Sequence, residues 1–157
     1  NVDRKSESGY VMRLCSSAIS WKAEKQATVA QSTTESELVS ANSGAREVVL
    51  LRRILKDLGV PQVLPTTMHE DNQGCIALMH NDIKNKRTKH IDIKYFWVRE
   101  QVELGEITMV YCPTEDMLAD IMTKPLTAKT FEELRSRLRI VDIEEVHEQN
   151  RRLVQSK

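Results

Sequence analysis

The stretch STTESELVSANSGAREVVLLRRILKDLG, Ser32 to Gly59, decides how the rest of the chain is read. Its apolar residues recur at helical spacing, and Gly59 followed by Pro61 supplies a stop, so a helix is predicted from Thr34 to Leu58. Two glutamates, Glu35 and Glu37, stand two positions apart at its start. At about 100° per residue they cannot share a face. Glu35 falls on the side of Arg46 and Arg53, a solvated face, whereas Glu37 heads the apolar stripe of Ala41, Val48, Leu51 and Leu55. Two readings of Glu37 stay open: a capping box with Thr34 in the spacing S/T-x-x-E, or a carboxylate turned toward whatever the helix packs on.

Outward from this helix, GYVMRLC and AISWK before it are two short strands separated by the turn-like Ser16 and Ser17, a hairpin. After it, LPTTMHED is a strand ending on acids, followed by a short helix from Gly74 to His80 and a basic loop, NDIKNKRTKH. A helix from about Ile91 to Leu104, a turn at Gly105 and the strand EITMVYC come next. Thr114 is placed to cap a helix through Thr123, Pro125 breaks it, and a last helix covers Ala128 to Leu138. Asp142 to Lys157 is a charged tail, an extension or a weakly docked helix. Alternating strands and helices after an initial hairpin predict the α/β class with a mixed sheet.

Composition narrows the function. A chain of 157 residues with 40% hydrophobic content supports one cored domain. Lys+Arg and Asp+Glu both total 23, so bulk charge announces neither a nucleic acid nor a membrane, and such a partner has to be sought in local patches. Cys15, Cys75 and Cys112 are widely spaced with no C-x-x-C pair, which argues against a disulfide framework and predicts a reducing, intracellular setting. No apolar run is long enough to span a bilayer, and the polar start NVDRKSESGY is unlike a signal peptide; no membrane partner is expected.

Two further acids stand where Glu37 could meet them. Asp71 follows a strand and directly precedes a helix, the place where ligands bind in open α/β sheets; the simpler reading is that Asp71 or Asn72 caps that helix. Asp120 lies one turn after Asp116 in TEDMLADIMTKPL, beyond the last strand. Convergence of such acids is costly without a cation, since two unit charges roughly 4 Å apart repel by about 4 kcal/mol at an effective dielectric near 20. Magnesium or manganese removes that cost, and oxygen-only ligation of this kind suits phosphate chemistry.

Five ordered blocks, RKSESGYV, AISWKAEKQATVAQSTTESEL, EDNQGCIAL, NKRTKHIDIKYFWVRE and EDMLADIMTKPL, resemble the ribonuclease H domain of Ty/copia-type retrotransposon polyproteins. The resemblance implies a ribonuclease H-like mixed sheet flanked by helices over residues 1–141, with 142–157 as a charged tail. It implies divalent-metal-dependent endonucleolytic cleavage of RNA in RNA–DNA hybrids, with the reverse transcriptase portion of the same polyprotein as partner. The implied location is the cytoplasm, a virus-like particle or the nucleus. Carried over by motif, Glu37 of TESEL, Asp71 of EDNQG and Asp120 of MLAD are catalytic and metal-binding, with Mg2+ or Mn2+ in a two-metal site of four carboxylates.

Two departures from the family pattern bear on activity. The family's first aspartate lies on an opening strand that precedes the RKS loop, and this chain begins inside that loop, with Asp3 a poor substitute. The expectation is a domain lacking its first strand and one metal ligand, inactive as an isolated chain; the alternative is a degenerate, non-catalytic remnant that binds nucleic acid or protein. The histidine that cellular ribonucleases H often carry before the last acid is replaced here by CPTED, with Glu115 and Asp116.

Lys84 to Arg99 holds six Lys or Arg against one Asp, the best phosphate-backbone patch on a neutral chain. Lys86, Arg87 and Lys89 are its candidate contacts, whereas Ile91, Tyr95 and Val98 share a core-like helix face. Gln73 and Ser36 are candidates for sugar or backbone hydrogen bonds. His69, Cys75 and His80 lack the spacing of a zinc site, Cys75 lacks a marked histidine partner, and Met109, Met117 and Met122 fall in core-like positions.

Overall fold

The computed structural model of the chain describes residues 5–30, 32–80 and 89–155. Strands β1 (Glu7–Leu14) and β2 (Ser17–Lys25) pair antiparallel from Glu7↔Lys25 to Leu14↔Ser17, with an irregularity between Met12 and Arg13. The connection is a two-residue turn at Cys15 and Ser16, one position before the expected Ser16 and Ser17. Both have positive φ, 49° and 70°, which suits the right-handed twist of the strands.

Helix α1 (Thr33–Asp57) follows, and the Ser32 hydroxyl accepts from the Glu35 amide at 3.1 Å. The cap is thus Ser32 rather than Thr34, which frees Glu37 from a capping role. The helix ends where expected: Leu58 donates to the Ile54 carbonyl and Gly59 takes φ +81°. Leu38, Ala41, Ala45 and Val48 form its buried stripe.

Strand β3 (Thr66–Glu70) pairs parallel with β4 (Ile107–Tyr111), Thr66↔Ile107 through Glu70↔Tyr111. Helices α2 (Gln73–His80) and α3 (Lys89–Glu103) lie within the crossover that parallel pairing needs. The α1 stripe packs with Cys75 and Met79 of α2, Tyr95 and Val98 of α3, and Ile107 and Met109 of β4 in one core. Arg52 staples the loop after α1, donating to the carbonyls of Gln62 and Leu64 and pairing with Glu106.

The expected helix from Thr114 through Thr123 is broken. A 3-10 turn (Thr114–Asp116) is followed by extended Met117 and the single turn α4 (Asp120–Thr123). Then come α5 (Ala128–Arg137), which buries Leu134, and α6 (Ile143–Gln155), a helix over most of the expected charged tail. Among the described residues no helix is long and apolar enough to cross a membrane.

The chain is thus mixed α/β, but with two two-stranded sheets where one mixed sheet was expected. Among the described residues β1 pairs only with β2, and β3 only with β4. The free edges of β1 and β3 line a common cavity of about 390 Å³, with Glu37, Ser40, Ala41 and Gly44 of α1 and Asp120, Thr123 and Lys124 also on its wall. A β-carbon at Gly44 would touch the Met68 and Met12 methyls at 3.2 and 3.5 Å, so both methionines fold over the helix at this point.

Candidate metal centre

Three elements bring carboxylates to one end of this cavity. Helical periodicity turns Glu37 inward one turn into α1, while Glu35, bonded to the cap through its amide, begins the first turn. Strand β3 delivers Glu70 at its last position and Asp71 just beyond it. Asp120 begins α4 and is buried.

Oxygens of Glu37, Glu70 and Asp71 lie within 4.8 Å of one another. Asp120 stands outside that trio and is joined to it by Lys124, whose Nζ is 2.9 Å from Asp120 Oδ2 and 3.9 Å from Asp71 Oδ2. Asp71 Oδ2 also accepts from the Thr114 hydroxyl at 3.1 Å, tying β3 to the segment after β4. Asn72, not Asp71, serves the helix: its Oδ1 accepts from the Cys75 amide at 2.9 Å.

Burial sets the proton affinities. It pushes Glu37 above the usual carboxylate range, and the neighbouring Asp71 and Asp120 charges add to the rise while Lys124 opposes it. Burial also lifts Glu70 to about 7, despite the Asn72 amide donating to it at 3.0 Å. A protonated or cation-bound centre relieves this crowding; a fully ionised one does not. Oxygen-only donors at this spacing fit a hard divalent cation.

Glu70 was not among the sequence candidates. Successive residues on a strand point to opposite faces, so regular alternation alone would send Glu70 and Asp71 to opposite sides. The strand stops at Glu70, and the bend at Asp71 breaks the alternation. Gly9 was missed as well: a β-carbon there would lie 2.6 Å from Thr123 Cγ2 and 3.1 Å from Met122 Cβ, so a glycine lets α4 lie directly on β1.

The other candidates are dispersed. Ser36 is buried, its hydroxyl and carbonyl both accepting from Gln26 Nε2, which places it in an internal network instead of on a contact surface. Gln73 is exposed at the start of α2. Lys86 and Arg87 lie outside the described residues, and Lys89 opens α3. Asp116 is exposed and paired with Arg137 at 3.1 Å, away from the centre. Cys75 is fully buried with its thiol pushed up by burial, while His69 and His80 are exposed.

Comparison with known proteins gives a consistent set of relatives. A retrovirus-related Pol polyprotein from transposon TNT 1-94 of Nicotiana tabacum is 37% identical over 130 residues, 83% of this chain and 10% of that polyprotein. The one from transposon RE1 of Arabidopsis thaliana is 34% identical over 141 residues, 90% of this chain and 10% of its own length. The transposon Ty1-DR5 Gag-Pol polyprotein of Saccharomyces cerevisiae is 24% identical over 127 residues, 81% of this chain and 7% of its length. The chain therefore spans a tenth or less of these relatives. No family model and no solved structure matches it.

Proposed function

The chain is related to a segment of retrotransposon Pol polyproteins of the copia/Ty1 kind, and from that premise we propose that it is their ribonuclease H portion. Its reaction is endonucleolytic hydrolysis of the RNA strand in RNA–DNA hybrids. The observation that carries this reading is the meeting of Glu37, Asp71 and Asp120 around Lys124 at the carboxyl end of β3.

In this reading Glu37, Asp71 and Asp120 would hold Mg2+ or Mn2+, with Glu70 beside them. When bound, such a cation supplies Lewis acidity for displacement at phosphorus. Glu37 and Asp71 would hold that cation between α1 and β3, where their oxygens already lie within 4.8 Å of one another. Thr114 holds Asp71 in place through its hydroxyl. Lys86, Arg87 and Lys89 would neutralise backbone phosphates, and exposed Gln73 would reach sugar oxygens. The reverse transcriptase portion of the same polyprotein is the expected neighbour.

The cavity between the free edges of β1 and β3 favours a second reading for the chain by itself, that it binds without cutting. An extended strand bearing an aspartate, supplied by the polyprotein, would pair with both edges and add a carboxylate. Cleavage of a labelled RNA–DNA hybrid in Mg2+ and Mn2+ separates the two. The chain should be silent, and a version extended at its amino end by an aspartate-bearing strand should cut. Silence from both overturns the nuclease reading.

A further inference from the structure

Among the described residues, Lys124 is a basic group placed on the acidic centre. It follows the single turn α4, its ammonium donates to Asp120 Oδ2 at 2.9 Å, and it stands 3.9 Å from Asp71 Oδ2. Its side chain is 45% exposed, so it reaches the carboxylates from the cavity wall and can swing back into solvent. Burial weighs against its charge, but the hydrogen bond to Asp120 and the charges of Asp120, Asp71 and Glu37 outweigh burial and hold the proton on.

An ammonium is a compact cation with three donors, and a divalent ion needs the same carboxylate oxygens. Both cannot be held by Asp71 and Asp120 at full strength. We propose that Lys124 is a built-in counter-cation that keeps Asp71 and Asp120 together while the centre holds no divalent ion, and that metal entry is an exchange in which Lys124 is expelled. This rests on the reading of the centre as a cation site. Linkage makes the competition reciprocal: what Lys124 contributes to holding the empty centre is lost from metal affinity.

The test is calorimetric titration of Mn2+ into the 157-residue chain and its Lys124→Gln and Lys124→Arg variants, with thermal melts in chelator and in saturating Mn2+. Exposed ion pairs are weak, so Lys124→Gln should bind Mn2+ about fivefold more tightly. It should melt lower than the parent in chelator and gain more from Mn2+, while Lys124→Arg, which keeps the charge, should stay near the parent. Binding by Lys124→Gln alone also supports the exchange. Equal or weaker binding by Lys124→Gln overturns it and leaves the cation site standing; no binding by any of the three chains overturns both.

Discussion

Gly9 of β1 and Thr123 of α4 are in direct contact: a β-carbon on Gly9 would lie 2.6 Å from the Thr123 methyl. Because α4 carries Asp120 at its start, this contact bears on how close Asp120 comes to Glu37, Glu70 and Asp71. Gly9→Ala should therefore cost about 1–3 kcal/mol of stability through overpacking and weaken Mn2+ binding. Thr123→Ser, which removes the methyl, should recover part of both in the double variant. Urea unfolding and metal titration of the three chains check this; an unaffected Gly9→Ala chain would remove the contact from the account.

Glu70 gives the metal-free chain a pH signature. Its carboxyl is held protonated up to about pH 7 in the fold and ionises near its ordinary 4.5 in the unfolded chain. The folded state thus binds the extra proton, so this contribution is present at low pH and is lost as pH rises through about 7. Stability in chelator should fall by roughly 3 kcal/mol between about pH 4.5 and pH 8 from this group. Glu70→Gln should flatten that slope, which melting curves across the range would reveal.

The helix cap falls on Ser32, not on Thr34, which the sequence reading offered for a capping box with Glu37. Ser32→Ala should destabilise by about 1 kcal/mol, because its hydroxyl accepts from the Glu35 amide. Thr34→Ala should change stability by less than about 0.5 kcal/mol. Equal losses in denaturant titrations would restore the Thr34–Glu37 capping box.

The hairpin turn places two L residues, Cys15 and Ser16, at positive φ. Replacing the pair by Asn-Gly should stabilise the chain by about 1 kcal/mol, since that pair suits the same turn at lower steric cost. A fall in melting temperature would mean that Cys15 or Ser16 has a role beyond the turn.

Much of this arrangement was legible in the sequence. The period of α1 separated Glu37 from Glu35, the glycine at 59 marked the end of the helix, and the strand ending before Asp71 marked one side of the centre. The segment from Thr114 to Thr123 was not legible, because its pattern suits a continuous helix. Extended Met117 interrupts it, and Asp116 is drawn off to Arg137. Glu70 escaped because strand alternation forbids what a bend permits. The separation of the two sheets depends on which edges find a partner, and no local pattern of residues records that.

We propose that Glu37, Glu70, Asp71 and Asp120 form one divalent-cation centre. Paramagnetic broadening of amide resonances by substoichiometric Mn2+ tests it most directly, with Glu37→Gln, Asp71→Asn and Asp120→Asn alongside. Broadening centred on residues 37, 70–72 and 120, and reduced in each variant, is the predicted result. Broadening centred elsewhere, or left intact in all three variants, would contradict it.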